Sequence, residues 1–135
     1  MPDRPVQETL HIQRYSIAPG YIEAQFDRTY ESAMLNSPSH LIFLTALVHT
    51  QKLLYVYACH VLGLEYDPHG PEVLKIWPTE VSITMPRMLR DERDLVHRVH
   101  IDGFESAGPK RYMLTMRSSV NRAVNINGQT PVYVL

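Results

Sequence analysis

The fold of this chain is decided by residues 37–63, which read SPSHLIFLTALVHTQKLLYVYACHVLG. Ser37 suits a helix N-cap, and Pro38 suits the first helical turn, where its missing N–H costs nothing. Gly63 suits the position just after a helix C-terminus. The stretch therefore predicts one long helix over 38–62. Because its apolar side chains lie on nearly all sides, most of the helix surface should be buried.

A membrane span is the competing interpretation of this stretch. His49, Thr50, Gln51 and Lys52 fall in its middle, where a bilayer would strongly penalise polar and charged groups. The sequence contains no second span to shield them. With 135 residues, the chain has the length of one domain. We therefore expect a single domain over 1–135 with a buried helix and no membrane span.

The segments around the helix alternate between apolar and polar residues, as half-buried strands do. Pro78 marks a bulge, an edge or a break, and Asn127-Gly128 is a hairpin signal. One helix has no second helical layer to pack against, so a sheet must wrap it. The expected fold class is α+β, a hotdog fold with one long central helix wrapped by a curved, mainly antiparallel sheet. The predicted strands lie within 7–15, 20–31, 73–85, 93–104, 110–120 and 123–134.

The composition narrows the classes of function. The chain has 13 basic and 14 acidic residues, a net charge of −1, whereas nucleic-acid binders are usually clearly basic. Residues 86–135 hold 8 basic and 5 acidic residues, and residues 1–85 hold 5 and 9. This asymmetry suits either an anionic ligand near the C-terminal half or an ordinary solvated surface.

The single cysteine and the first residues bear on compartment and cofactors. Cys59 alone excludes an intrachain disulfide and a four-cysteine zinc site, and it is expected to be a small buried hydrophobe. The opening MPDRPVQETL lacks the apolar region of a secretory signal, so a cytoplasmic protein is expected. There is no phosphate-binding glycine loop, GxSxG elbow, HExxH or dinucleotide motif. No metal or redox cofactor is implied.

Histidines and helix polar groups are the remaining candidates for chemistry. His97 and His100 are three apart on a predicted strand, so they point to opposite faces, and His11 and His69 are isolated. All four are expected to be ordinary structural histidines. On the helix, one stripe holds Thr45, His49, Lys52 and His60, and the other side holds His40, Leu44, Gln51 and Tyr55. Such polar groups serve a buried network, a dimer interface or catalysis.

Residues 31–55, ESAMLNSPSHLIFLTALVHTQKLLY, resemble the FcoT-type fatty acyl-CoA thioesterases, which have a hotdog fold. The ungapped matches are Glu31, Ser32, Ala33, His40, Leu53 and Tyr55. Three positions differ from the family. Met34 stands where the family has Tyr, Gln51 replaces a catalytic Asn, and Thr45 replaces a Glu.

The resemblance implies hydrolysis of a fatty acyl-CoA or acyl-carrier-protein thioester, in lipid or specialised-metabolite biosynthesis. Gln51 would orient water or the carbonyl, and His49 or His40 would be the general base. His40 and Gln51 lie roughly 16 Å apart along a helix, so only a homodimer, which hotdog proteins typically form, would bring them together. The implied substrate-binding residues are Glu31, Ser32, Ala33, Met34, Ser39, Tyr55, Arg87, Lys110 and Arg111, with the cations meeting CoA phosphates.

Two alternatives remain open at this stage. The same fold carries out dehydration or isomerisation of 3-hydroxyacyl thioesters. That chemistry usually pairs a His with a carboxylate, and the helix has no Asp or Glu between His40 and Leu62. The other alternative is a non-catalytic acyl-binding subunit, which the replaced family Tyr and Glu would explain.

Overall fold

A computed structural model describes residues 7–31 and 43–135 of the chain. These residues form seven strands and one helix. In chain order they are β1 (Gln7–Ala18), β2 (Tyr21–Glu31), α1 (Phe43–Leu62), β3 (Leu74–Ile76), β4 (Glu80–Thr84), β5 (Leu95–Gly108), β6 (Arg111–Val120) and β7 (Val124–Val134).

The strands form one antiparallel sheet that curls around the helix. Its order is β1-β2-β5-β6-β7-β3, and β4 also pairs with β7. The helix packs against β2, β5 and β7 and also against the outer strands β1 and β3. Since a flat sheet would not bring both outer strands to one helix, the sheet must be curved. This half-barrel around a single helix confirms the predicted hotdog fold.

The C-terminus of α1 is capped as the sequence predicts. Gly63 has a φ of 69°, a left-handed conformation that glycine adopts without a steric penalty. Its N–H donates to the His60 carbonyl at 3.3 Å, and the Leu64 N–H donates to the Cys59 carbonyl at 2.8 Å. These two bonds form a Schellman motif. The predicted helix start at Ser37 and Pro38 lies outside the described residues.

The predicted hairpin at Asn127-Gly128 is wrong. Strand β7 runs straight through both residues, and the turn before it contains Asn121 and Arg122 with φ values of 47° and 57°. Gly128 serves a different purpose, because a Cβ there would lie 2.5 Å from the Glu80 carbonyl oxygen. Glycine is needed so that the backbone of β4 can approach β7 closely.

The predicted strand over 73–85 is interrupted at its proline. Residues 77–79 separate β3 from β4, and both strands pair with β7. The Thr79 N–H donates to the Gln129 carbonyl at 3.0 Å, which holds the interruption against β7. Pro78 therefore marks a break in the outer strand, one of the three outcomes that its position predicts.

The core lies between the inner face of the sheet and α1. Its largest fully buried side chains include Phe26, Leu53, Leu95 and Leu114. Cys59 is 1% exposed within this core, which confirms it as a small buried residue. In the ranges that the structure describes, no helix has the length and hydropathy needed to cross a membrane.

Candidate active site

The polar residues of α1 lie on two different sides of the helix. At 3.6 residues per turn, the directions of His49 and Gln51 differ by about 160°. His49 is buried against the sheet, whereas half-buried Gln51 lines a groove on the opposite side. The two predicted catalytic residues are therefore not brought together within one chain.

The groove lies between α1, the loop that follows it, and the edge of the sheet. Its volume is about 440 Å³, within the usual range for small-molecule sites. Its floor and walls combine apolar and polar side chains. The helix contributes Val48, Gln51, Lys52 and Tyr55, and the facing wall includes Asp67, Glu72 and Ile76.

The facing wall of the groove is fastened to the helix by Tyr55. Its hydroxyl oxygen accepts hydrogen bonds from the N–H groups of Val73 at 2.9 Å and Leu74 at 3.2 Å. Its ring meets the Tyr66 ring at a centroid distance of 5.9 Å, edge to face. Tyr55, predicted to bind substrate, thus lines the groove and also fixes the position of the residues that follow Glu72.

Two carboxylates of the loop line the groove, and they differ in how they are held. Asp67 accepts a bond from the His69 N–H at 2.9 Å, and its side chain lies against Gly70, where a Cβ would meet it at 2.8 Å. Glu72 is exposed and makes no hydrogen bond or ion pair within residues 7–31 and 43–135. Asp67 is therefore committed to the loop, and Glu72 is available to a ligand.

Gln51 provides the amide of this groove. In the described ranges its side chain has no hydrogen-bond partner, although it is half-buried. A primary amide offers two N–H donors and one carbonyl acceptor. The sequence marks Gln51 as a candidate but not Glu72, because no motif distinguishes a lone carboxylate in a loop. Glu72 is brought to the groove by the hydrogen bonds that the Tyr55 hydroxyl accepts from Val73 and Leu74, the two residues after it.

A chain of hydrogen bonds runs through the core on the other side of the helix. The Thr50 hydroxyl donates to the Ala46 carbonyl at 2.9 Å, so its single proton is used. It must then accept the bond from His97 Nε2–H at 3.0 Å. The Ser118 hydroxyl lies 3.4 Å from the same Thr50 oxygen and supplies the second donor. The Thr50 hydroxyl therefore donates one hydrogen bond and accepts two.

These bonds determine the tautomers of both buried histidines. With its proton on Nε2, neutral His97 offers Nδ1 as an acceptor, and His49 Nδ1–H donates to it at 2.8 Å. His49 Nε2 then carries a lone pair and is buried, and no group in the described part of the chain bonds to it. The opposite tautomers would bury an unpaired N–H, which is rarer in proteins than an unpaired acceptor. The Phe26 ring lies beside His49, with a centroid distance of 5.0 Å.

Burial keeps both of these histidines uncharged. Loss of hydration lowers the pKa of His49 to about 4, and the charge of Lys52 adds to this effect. Burial also lowers the pKa of His97, with His49 as the second cause. His97 and His100 do point to opposite faces, as predicted, since His97 is buried and His100 is exposed.

The three cations predicted to bind substrate do not line this groove. Arg87 is exposed and donates to the Asn121 carbonyl at 2.8 Å, and Lys110 occupies the turn before β6 with a φ of 57°. Arg111 lies over the ring of Tyr133. Glu31 ends β2. Five of the predicted residues lie outside the described residues, namely Ser32, Ala33, Met34, Ser39 and His40.

Comparison with known proteins identifies the fold. The chain superposes on a thioesterase from Pseudomonas aeruginosa with a TM-score of 0.54 and 13% identity, covering 93% of this chain and 82% of that one. For a thioesterase from Haemophilus influenzae the TM-score is 0.55 at 12% identity, covering 93% and 79%. For YhdA of Lactococcus lactis, a proposed thioesterase, it is 0.58 at 6% identity, covering 93% and 95%. No protein-family model and no curated protein sequence matches the chain.

Proposed function

We propose that this protein hydrolyses acyl thioesters in the groove beside Gln51. The observation that carries the proposal is the half-buried Gln51 amide, which shares a cavity of about 440 Å³ with the Glu72 carboxylate. Neither side chain has a hydrogen-bond partner among the described residues. The shared fold with thioesterases of two bacteria supports the same chemistry. The FcoT-type resemblance of residues 31–55 assigns a catalytic amide to the same position, Gln51.

The groove supplies the two functions that thioester hydrolysis requires. A Gln51 N–H donates to the thioester carbonyl oxygen and stabilises the negative charge that develops there. Glu72 accepts a proton from the attacking water, whose oxygen bonds to the carbonyl carbon. The carbon–sulfur bond then breaks, and the leaving sulfur takes the proton from Glu72. The products are a carboxylic acid and the free thiol of the carrier.

Apolar parts of the groove would hold the acyl chain next to these groups. Val48 and Ile76 line it from the helix and from the sheet edge. In this proposal Glu72 replaces His49 as the base, because the free Nε2 of His49 is enclosed on the other side of α1. The substrate class is a fatty acyl group carried on CoA or on an acyl-carrier protein, as the resemblance implies.

The proposal includes a homodimer. The sheet ends in two edges, β1 on one side and β3 with β4 on the other, and each presents backbone groups that can pair with a second copy. Light scattering coupled to gel filtration should give twice the chain mass of 15.6 kDa. A mass of one chain at micromolar concentration would reject this part of the proposal.

Thiol release tests the activity directly. Purified protein is incubated with acyl-CoA and acyl-carrier-protein substrates of increasing chain length, and with 3-hydroxyacyl and enoyl thioesters. We expect thiol release with a maximum at one acyl length. Interconversion of hydroxyacyl and enoyl thioesters without thiol release would instead identify a dehydratase. Ligand-induced thermal stabilisation without either reaction would identify an acyl-binding subunit.

Substitutions in the groove separate the two proposed roles. Gln51→Ala should lower kcat at least tenfold, since one oxyanion donor commonly contributes that much or more. Glu72→Gln should lower kcat by about 100-fold, because an amide cannot take up the proton of the attacking water. Glu65→Gln, which changes an exposed carboxylate of the same loop outside the groove, is the matched control. Equal kcat values for the wild type and all three variants would refute the proposed site.

A further inference from the structure

An aromatic pair, of which one ring is exposed and the other half-buried, lies on the outer face of the sheet next to the groove. Trp77 is 48% exposed and stacks on Tyr133 with a centroid distance of 5.1 Å and an angle of 20° between the rings. The guanidinium carbon of Arg111 lies 5.3 Å from the centre of the Tyr133 ring. Tyr133 covers one face of the Trp77 ring, and the exposed part of the ring offers a flat surface on which a further aromatic group can stack.

The strand register adds a second cation to this surface. Lys75 of β3 lies opposite Tyr133, and Tyr133 lies opposite Arg111 of β6. Residues directly opposite one another in an antiparallel sheet share a face. Lys75, Trp77, Tyr133 and Arg111 therefore form one surface, here called the aromatic–cationic platform.

Among the described residues, the two cations of the platform have no anionic partner. Arg93, Arg98 and Arg117 pair with Asp27, Glu23 and Asp102 respectively. In contrast, neither Lys75 nor Arg111 makes an ion pair within residues 7–31 and 43–135. Their positive charge is therefore available to an external anion, beside a flat aromatic surface.

We propose that the aromatic–cationic platform binds the adenine nucleotide of coenzyme A. The purine stacks on the open face of Trp77, and the phosphates contact Arg111 and Lys75, since a guanidinium matches phosphate oxygens in pairs. This inference rests on the proposed function, because it names the carrier of the acyl group as CoA.

The position of the platform fits a ligand that extends from the groove. Ile76 lines the groove, and Trp77, the next residue, belongs to the platform. Consecutive residues at a strand edge point to opposite faces, so the groove and the platform lie on the two sides of the same outer strand. A carrier arm that crosses this edge would join the thioester in the groove to the nucleotide on the platform.

The test uses the fluorescence of Trp77, which is the one tryptophan of the chain. Stacking of a purine on its ring should quench this emission. We expect saturable quenching by CoA and by the isolated adenosine bisphosphate end of CoA, and none by pantetheine. Arg111→Gln should weaken the binding of both nucleotides about fivefold or more. Arg117→Gln, which removes an exposed arginine that is paired with Asp102, should leave it unchanged.

Calorimetry with Trp77→Leu completes the test without the fluorophore, and we expect CoA to bind at least fivefold more weakly to this variant. Unchanged fluorescence at CoA concentrations equal to the acyl-CoA concentrations that saturate thiol release would overturn the platform while leaving the proposed function intact. Quenching by CoA without thiol release from any acyl thioester would overturn the proposed function and keep the platform. Tighter binding of free ADP than of CoA would overturn the assignment to an acyl carrier.

Discussion

The buried histidine pair should make the folded protein sensitive to mild acid. His49 and His97 are both neutral in the fold, and they share a single hydrogen bond between their Nδ1 atoms. Protonation of both rings would place an N–H against an N–H at 2.8 Å. We therefore expect the free energy of unfolding to fall between neutral pH and pH 4, before most carboxylates are protonated.

The size of this effect follows from the pKa of His49. Burial lowers it from 6.5 in the unfolded chain to about 4 in the fold. The unfolded chain therefore binds more protons in this range, so stability rises with pH. The contribution of His49 is complete above pH 6.5 and is lost as the pH falls to about 4, a total of about 3 kcal/mol. His97, whose pKa is also lowered, adds to the loss in the same direction.

Urea denaturation at pH values from 7.5 down to 4 measures this slope. His49→Gln keeps an N–H that can donate to His97, but it cannot be protonated in this range. Its free energy of unfolding should fall about 3 kcal/mol less than that of the wild type over the same pH interval. His60→Gln, the same substitution at an exposed position of the same helix, is the matched control. Parallel pH profiles for the wild type and His49→Gln would refute the reasoning about this pair.

Two further substitutions test the packing of the sheet, with urea denaturation midpoints as the readout. Gly128→Ala should destabilise the fold by roughly 1–3 kcal/mol, because its Cβ would meet the Glu80 carbonyl oxygen at 2.5 Å; a wild-type midpoint would show that β4 does not approach this closely. Thr130→Val should stabilise the fold by about 1 kcal/mol, because the buried Thr130 hydroxyl has no hydrogen-bond partner within residues 7–31 and 43–135. A lower midpoint for this variant would mean that the hydroxyl is satisfied.

The sequence predicts the architecture well because the hydrophobic periodicity of a helix or strand, and the residues that end it, lie close together in the chain. The cap at Gly63, the buried Cys59 and the break at Pro78 all depend on neighbouring residues in the chain. Asn127-Gly128 misleads for a physical reason, since glycine is needed there for a close contact with a distant strand rather than for a turn. A dipeptide signal does not distinguish these two uses.

The candidate site is harder to predict because its parts are distant in sequence. Gln51 was identified from the helix and from the resemblance, but Glu72 reaches the groove only through the bonds made by Tyr55. His49 and His97 are 48 positions apart, and their contact depends on how α1 rotates against β5. Trp77 and Tyr133 meet only once β3 and β7 are paired. No local pattern carries this information.

The interruption at residues 77–79 also bears on how the protein avoids fibril formation. An unbroken strand over 74–84 would offer a long row of free backbone groups, and such edges template uncontrolled polymerisation. Here the edge is divided into strands of 3 and 5 residues. The opposite edge, β1, is distorted by a bulge between Ile12 and Arg14, and bulges discourage continued pairing. Both ends of the sheet are therefore poor templates for open-ended polymerisation, which is compatible with a closed dimer of two copies.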